Sequence, residues 1–164
     1  MKKPLVISLG TNLGDRVQNL STAETKLEKL LGAYSKSQIV ESKAVDYLDQ
    51  PAFLNQVFLF ENYPPELTPE LVLKLCLGVE NEMGRTRKID KGPRVIDIDL
   101  LFFGSDHRST EFLELPHPRL FERSFIVKPL RELSCFNFLE QNFAFPKKFN
   151  NSCHAFEPKQ LNRG

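Results

Sequence analysis

The residues best suited to chemistry lie between Gly84 and Asp99, which read GRTRKIDKGPRVIDID. Arg85, Arg87, Lys88, Lys91 and Arg94 place five positive charges within ten residues, against one acid, Asp90. Asp97 and Asp99 follow two residues apart, and the two-residue period of a strand turns both toward one face. Val95, Leu101 and Phe103 share that parity, so the acids would stand on an otherwise apolar surface. Two like charges there repel and lose hydration unless a cation neutralises them. Mg²⁺ suits such a pair, because it takes oxygen ligands, commonly one or two carboxylates, and shares itself with water and substrate phosphates. The basic run would then meet the phosphates. Either half alone is ordinary, since D-x-D on a strand is more often solvated or ion-paired and a basic run is usually a charged loop. Joined through Gly92-Pro93 at this spacing, they point to a metal–nucleotide site.

Other chemistries find little support. GxxxxGK[ST] is missing, Gly10-x-x-x-Gly14 is neither a Walker loop nor GxGxxG, and no H-E-x-x-H or Ser-His-Asp order stands out. Cys76, Cys135 and Cys153 are far apart and form no C-x-x-C, so they read as free thiols. His117 is framed by Pro116 and Pro118, which would hold it in a defined loop. With 22 Lys+Arg against 21 Asp+Glu, the net charge of +1 argues against a broadly basic surface for nucleic acid. A chain of 164 residues, 41% hydrophobic and 26% charged, reads as one domain over 1–164 with a single core. The apolar run after Met1-Lys2-Lys3-Pro4 is too short for a signal peptide and no run spans a membrane, so the expected setting is the cytoplasm with no membrane partner.

Several elements must position these residues. Leu5–Leu9 reads as a buried strand ending at Gly10, followed by a turn whose Asn12 and Asp15 can cap a helix. Apolar spacing from Val17 to Leu31 predicts that helix, with Gly32 as its stop. Residues 38–46 alternate weakly as a strand, and Phe53–Phe60 (FLNQVFLF) is a stronger one despite its polar Asn55 and Gln56. Thr68-Pro69 opens a second helix with a stripe of Leu71, Val72, Leu75, Val79 and Met83, ended by Gly84. Arg94–Phe103 is the strand that carries the acids, closed by the turn Gly104-Ser105-Asp106. Residues 119–133 could hold short helical turns, and the pattern fades after Ser134. The order β-α-β-β-α-β predicts an α+β fold, a ferredoxin-like α/β sandwich with a mainly antiparallel sheet and flanking helices.

Four blocks, LGTNLGDR (9–16), QPAFLNQV (50–57), EMGRTRKIDKGPRVIDIDLLFFG (82–104) and LELPHPRLFERSFIVKPLREL (113–133), are similar to the 6-hydroxymethyl-7,8-dihydropterin pyrophosphokinase family of folate biosynthesis. The resemblance implies transfer of the β,γ-pyrophosphoryl group of ATP to the pterin's hydroxymethyl oxygen, with AMP released. It implies that Asp97 and Asp99 hold two Mg²⁺ ions. Arg85 and Arg94 would act on the phosphates, and Arg87, Lys88, His117 and Arg123 would complete the ATP site. Phe53 and Phe125 would sandwich the pterin, with Asn55 on its edge; composition alone makes both Phe residues core. Loops 43–49 and 86–92 are the expected closing segments, and a monomer without nucleic-acid partners is expected. The chain departs from the family's habits at Val40–Ala44, Val45–Asp49, Leu77, Lys91 and Pro118.

Two other readings stand beside this one. A small RNA-binding module would use the same sheet, but RNP-type aromatic motifs are missing and the acidic pair would repel a backbone. An inactive ATP-binding relative would bind nucleotide without releasing AMP.

Overall fold

The computed structural model describes residues 3–43, 49–84 and 93–157. Its chain order is β1 (Leu5–Thr11), α1 (Arg16–Leu31), β2 (Tyr34–Lys36), β3 (Val40–Ser42), β4 (Phe53–Phe60), α2 (Pro69–Glu82), β5 (Asp97–Phe103), β6 (Arg108–Ser109), β7 (Glu114–Leu115), a 3-10 turn (Leu120–Glu122), α3 (Ser124–Leu130), α4 (Phe136–Asn142) and β8 (His154–Ala155). The main sheet runs β5-β1-β4-β3-β8, with β2 also on β4, and every pair is antiparallel. With β2 and β3 taken together as one interrupted strand, this is the expected ferredoxin-like α+β order.

Local chemistry sets the helix ends. Asp15 accepts the Gln18 N–H at 3.0 Å to open α1, and Gly32, at φ +87°, donates to Glu28 O to close it. Thr68 accepts the Leu71 N–H at 3.2 Å with Pro69 in the first turn of α2. The buried stripe of α2 is Val72, Cys76 and Val79, with Leu71 42% exposed, so the apolar face is rotated from the expected one. Cys76 is small enough to sit directly under the sheet, and leucines flank it.

Three expectations about strands change. Of the weak strand expected at 38–46 the described residues form only β3, which pairs Phe53–Asn55; it is preceded by β2 at Tyr34–Lys36, a short strand the sequence did not suggest, which pairs Phe58–Phe60. Between them Ser37 donates to Val57 O through its N–H and accepts the Val57 N–H on Oγ, so a side chain bridges the break. Residues 44–48 lie outside the described residues. β5 begins at Asp97 rather than Arg94, because Arg94–Ile96 turn into the strand. A bulge then pairs Val6 with Phe102 and Ile7 with Leu100, leaving Leu101 as the extra residue. Parity reverses there, so Leu101 and Phe102 share the face of the acids while Phe103 crosses to the opposite one.

Each face of the sheet has its own apolar cluster. Leu5, Ile7, Leu9, Phe58, Phe60, Ile98, Leu100 and Phe103 pack under α1 and α2. Val6, Val57, Leu59, Leu101 and Phe102 pack against α3 and α4. The described part of the stretch after Ser134, residues 135–157, carried no clear pattern yet is structured: Leu139 is fully buried and β8 adds a strand to the edge of β3. Among the described residues no helix is long and apolar enough to cross a membrane.

Candidate active site

On the α3 side the sheet changes character over two residues of strand. Val6, Leu59 and Phe102 form an apolar row. One step on, Ser8 stands between Val57 and Asp99, and the next step places Gly10 between Asn55 and Asp97. Same-face residues along a strand are about 6.7 Å apart, so packed core becomes a polar row within roughly 13 Å. Gly10 makes the last row possible, because a Cβ there would lie 2.8 Å from Asn55 Nδ2.

A cleft of about 70 Å³ opens over this row, lined by Gly10, Ser42, Lys43, Phe53, Asn55, Arg94, Asp97, Asp99, Arg123, Phe125 and Ile126. Seven of the residues singled out from sequence therefore converge: Phe53, Asn55, Arg94, Asp97, Asp99, Arg123 and Phe125. Phe125, expected as core on composition, is 9% exposed but borders this space from α3. Asn55 is also buried, and its Oδ1 has no hydrogen-bond partner among the described residues; Arg123 Nε shares that condition. Leaving such atoms unmatched costs about 1–3 kcal/mol each, which marks a surface shaped for a polar guest.

Arg94 sits where the chain bends into β5. Its Nη1 is 4.0 Å from Asp97 Oδ2 and its guanidinium lies 5.3 Å from the Phe53 ring centre. Asn12 holds the backbone there, accepting the Arg94 N–H at 2.8 Å on Oδ1 and donating its own N–H to Arg94 O at 3.1 Å. Its Nδ2 donates to Gln50 Oε1 and Pro51 O, both at 2.9 Å, and so ties the segment before Phe53 to the same knot. The bend is how Arg94 reaches the acids despite its opposite parity in the sequence.

His117 faces Asp99 from the other side, with Nε2 3.8 Å from Asp99 Oδ1. Its N–H donates to Leu101 O at 3.1 Å, and the preceding Leu115–Pro116 bond is cis. Burial, then the nearby Arg123 guanidinium, push the imidazole down to about 4, against an opposing pull from Asp97. It is neutral at physiological pH and accepts the Arg119 N–H on Nδ1 at 3.4 Å, which leaves its proton on Nε2, the edge toward Asp99. A second cleft of about 260 Å³ begins at Asp99 and His117 and runs between Leu73, Ile98, Thr110 and Leu113.

Asp97 and Asp99 are about a quarter exposed at the side chain. Among the described residues no group of three or more His, Cys, Asp or Glu side chains could hold a metal. Two carboxylates that leave most positions to water and phosphate fit Mg²⁺ far better than a fully protein-built site. Arg85, Arg87 and Lys88, like most of the expected closing loops 43–49 and 86–92, lie outside the described residues. The cysteines contribute no nucleophile: burial pushes Cys76 up to about 12 and Cys135 to about 11.

Gly10, Asn12 and Ser42 border or support the site without having been singled out for it: Asn12 was expected only as a possible helix cap, which Asp15 provides instead, and Lys43 only as the start of a closing loop. Gly10 and Asn12 fall in the block LGTNLGDR, so the signal was present; their meaning depends on a strand partner far along the chain.

A family model for 7,8-dihydro-6-hydroxymethylpterin-pyrophosphokinase (HPPK) matches residues 6–135. The 2-amino-4-hydroxy-6-hydroxymethyldihydropteridine pyrophosphokinase of Bacillus subtilis is 40% identical over 129 residues, covering 77% of this chain and 75% of that one. Its namesake in Aquifex aeolicus is 40% identical, covering 77% and 78%. The folic acid synthesis protein fol1 of Pneumocystis carinii is 43% identical over 78% of this chain, which spans only 17% of that longer protein. A solved HPPK-DHPS structure in complex with substrates shares the fold, with a TM-score of 0.61 at 17% identity, over 81% of this chain and 40% of that one. With the matched residues containing both strands of acids and rings and the helix that faces them, the chain belongs to the 7,8-dihydro-6-hydroxymethylpterin-pyrophosphokinase family.

Proposed function

We propose that this chain, as a single domain over 1–164, transfers pyrophosphate from ATP to 6-hydroxymethyl-7,8-dihydropterin in tetrahydrofolate biosynthesis, releasing AMP. One observation carries the reading: a single cleft joins a carboxylate pair and an arginine to a buried, unmatched amide acceptor bordered by two phenylalanines. A pterin is a flat heterocycle with N–H groups on its edge. Phe53 and Phe125 offer it faces, and Asn55 Oδ1 accepts from that edge.

Asp97 and Asp99 then lie next to the hydroxymethyl group and would hold Mg²⁺, two ions on this reading. Bound there, the metal neutralises charge on the triphosphate. The pterin hydroxymethyl oxygen attacks the β-phosphorus, loses its proton, and the bond from that phosphorus to the α–β bridging oxygen breaks to release AMP. Arg94 is placed to meet charge on the transferring group, with Arg85, Arg87 and Lys88 supplying further phosphate contacts. Neutral His117 offers its Nε2–H to the same region, and Arg123 completes the ATP side. The second cleft, lined by Leu73, Ile98 and Leu113 together with Thr110, Glu111 and Glu114 and touching Asp99, is where the nucleoside would extend. Such transfer depends on positioning and charge neutralisation more than on a protein base. The chain would work in the cytoplasm as a monomer, without nucleic acid or membrane.

The deciding experiment follows AMP in a coupled assay with ATP, Mg²⁺ and 6-hydroxymethyl-7,8-dihydropterin. Stoichiometric AMP and pterin pyrophosphate are expected. Nucleotide binding by folded protein without AMP release would favour an inactive relative.

A further inference from the structure

The family match ends at residue 135, yet the chain beyond it reaches back to the site. After α4, Phe143, Phe145, Phe149 and Cys153 pack on the cluster beneath α3, and β8 then pairs with β3. Between those anchors Asn151 meets the corner that joins the 3-10 turn to α3. Its Oδ1 accepts from the Ser124 N–H at 2.8 Å and from Ser124 Oγ at 2.6 Å, while its Nδ2 donates to Glu122 O at 2.7 Å.

These bonds flank Arg123 on both sides, and Phe125 is the next residue after Ser124. Locally the corner is held by backbone alone: Arg123 N–H donates to Leu120 O at 3.0 Å, and Arg123 O accepts from Ile126 and Val127 N–H at 3.0 Å. α3 has only seven residues, and Arg123, its N-cap, has an extended backbone and makes no side-chain cap bond. The first amide of a helix has no partner within the helix, so Ser124 N–H, on a fully buried residue, needs an acceptor from elsewhere. Asn151 supplies it across 27 residues of chain.

We propose that Asn151 is a positioning residue for the pterin end of the site: its clamp on Glu122 and Ser124 sets the first turn of α3 and thereby the Phe125 ring. This rests on the reading of Phe125 as a pterin contact. Each net hydrogen bond contributes modestly, so loss of three would loosen the turn more readily than unfold the domain. The carboxylates and Arg94 lie on β5 and its approach, outside the clamp, and of the ATP-side groups only Arg123 stands between its arms, so the loss should fall mainly on pterin recognition and to a smaller degree on ATP.

Steady-state kinetics with each substrate varied in turn test this on the full chain. Asn151→Ala should raise the pterin KM about tenfold, with the ATP KM and kcat changed less than about threefold. Asn151→Asp, which keeps the Ser124 arms and loses the Glu122 arm, should fall between it and the natural chain. Ser124→Ala, which removes the hydroxyl arm together with the Ser124 contact to Cys153, should raise the pterin KM about threefold. Phe125→Ala is measured beside them. If it raises the pterin KM and folded Asn151→Ala does not, the clamp is refuted and the pterin assignment stands. If Phe125→Ala leaves the pterin KM unchanged, that assignment fails and takes the proposal with it. Should Asn151→Ala not fold, unchanged pterin KM in both Asn151→Asp and Ser124→Ala overturns the proposal, as would equal losses for both substrates.

Discussion

The two faces of the central sheet come from the same strands and end up with opposite properties. Under α1 and α2 every inward position from Leu5 to Leu9 and from Leu100 to Phe103 meets apolar partners. Glu80, the one buried carboxylate among the described residues, accepts the Ile98 N–H at 2.7 Å and so serves the strand itself. On the opposite face, Val6 and Phe102 are packed just as tightly, but two residues further along the strands give way to Asp99, and two more to Asp97, Gly10 and Asn55. Closure by helices on one face makes that side a rigid platform. On the other, among the described residues, α3 and α4 cover only part of the sheet, and the end they leave carries the candidate site. Rigidity behind and incomplete cover in front is how a small sheet can hold charges at fixed positions without burying them fully.

The sharpest way to break this contrast is to remove a charge from the open end. Asp97→Ala should reduce kcat by at least about a thousandfold, because metal charge stabilisation contributes several kcal/mol to such transfers. It should also weaken Mg²⁺-dependent ATP binding in titration calorimetry while leaving the thermal unfolding midpoint nearly unchanged, since the residue adds nothing to either apolar cluster. Unaltered turnover would remove the metal role from this strand.

A second test uses acid. The imidazole of His117 titrates at about 4 in the folded chain and near its ordinary 6.5 when unfolded. Between those values the unfolded state binds more protons, so stability rises with pH. The contribution is fully present above 6.5 and is lost as pH falls toward 4, a change on the order of 3 kcal/mol. Urea unfolding of the metal-free chain at pH 7 and pH 4.5 should show that loss, and His117→Gln should flatten the slope. An unchanged slope would mean the open end is wetter around His117 than its burial implies.

Much of this contrast was legible beforehand. Helix caps at Asp15 and Thr68, the strand Phe53–Phe60 and the parity of Asp97 and Asp99 all follow from local rules, and all hold. What sequence could not reveal was nonlocal. The bulge at Leu101 exists because β1 and β5 must keep two different faces in register, and it moved Phe103 to the opposite side. The short strand β2, ahead of the expected 38–46 stretch, is set by pairing with β4, and Ser37 bridges to Val57 in the gap between it and β3. The stretch after Ser134 lacks period because it packs piecewise, one phenylalanine at a time, against a surface other elements create. Asn55, like the two acids, looked out of place on its strand by local rules, and its place at the pterin edge came from the family resemblance.

The finest test works on Gly10, which belongs to both faces' strand but whose missing side chain matters on one only. Adding a methyl group there places a Cβ 2.8 Å from Asn55 Nδ2, against 3.7 Å from Asn55 Cγ and 3.9 Å from Asp97 Cβ. The clash meets the end of one side chain rather than backbone, so Asn55 should rotate aside instead of the sheet distorting. Its Nδ2 bond to Leu9 O is already long at 3.4 Å and offers little resistance. Overpacking relieved in this way costs at the low end of about 1–3 kcal/mol. Gly10→Ala should therefore raise the pterin KM about fivefold, lower the unfolding midpoint only slightly, and leave the ATP KM alone, on the scale of about 1.4 kcal/mol per tenfold. Equal losses for both substrates would show instead that Gly10 supports the whole strand, and the contrast between the two faces would then be one of covering alone.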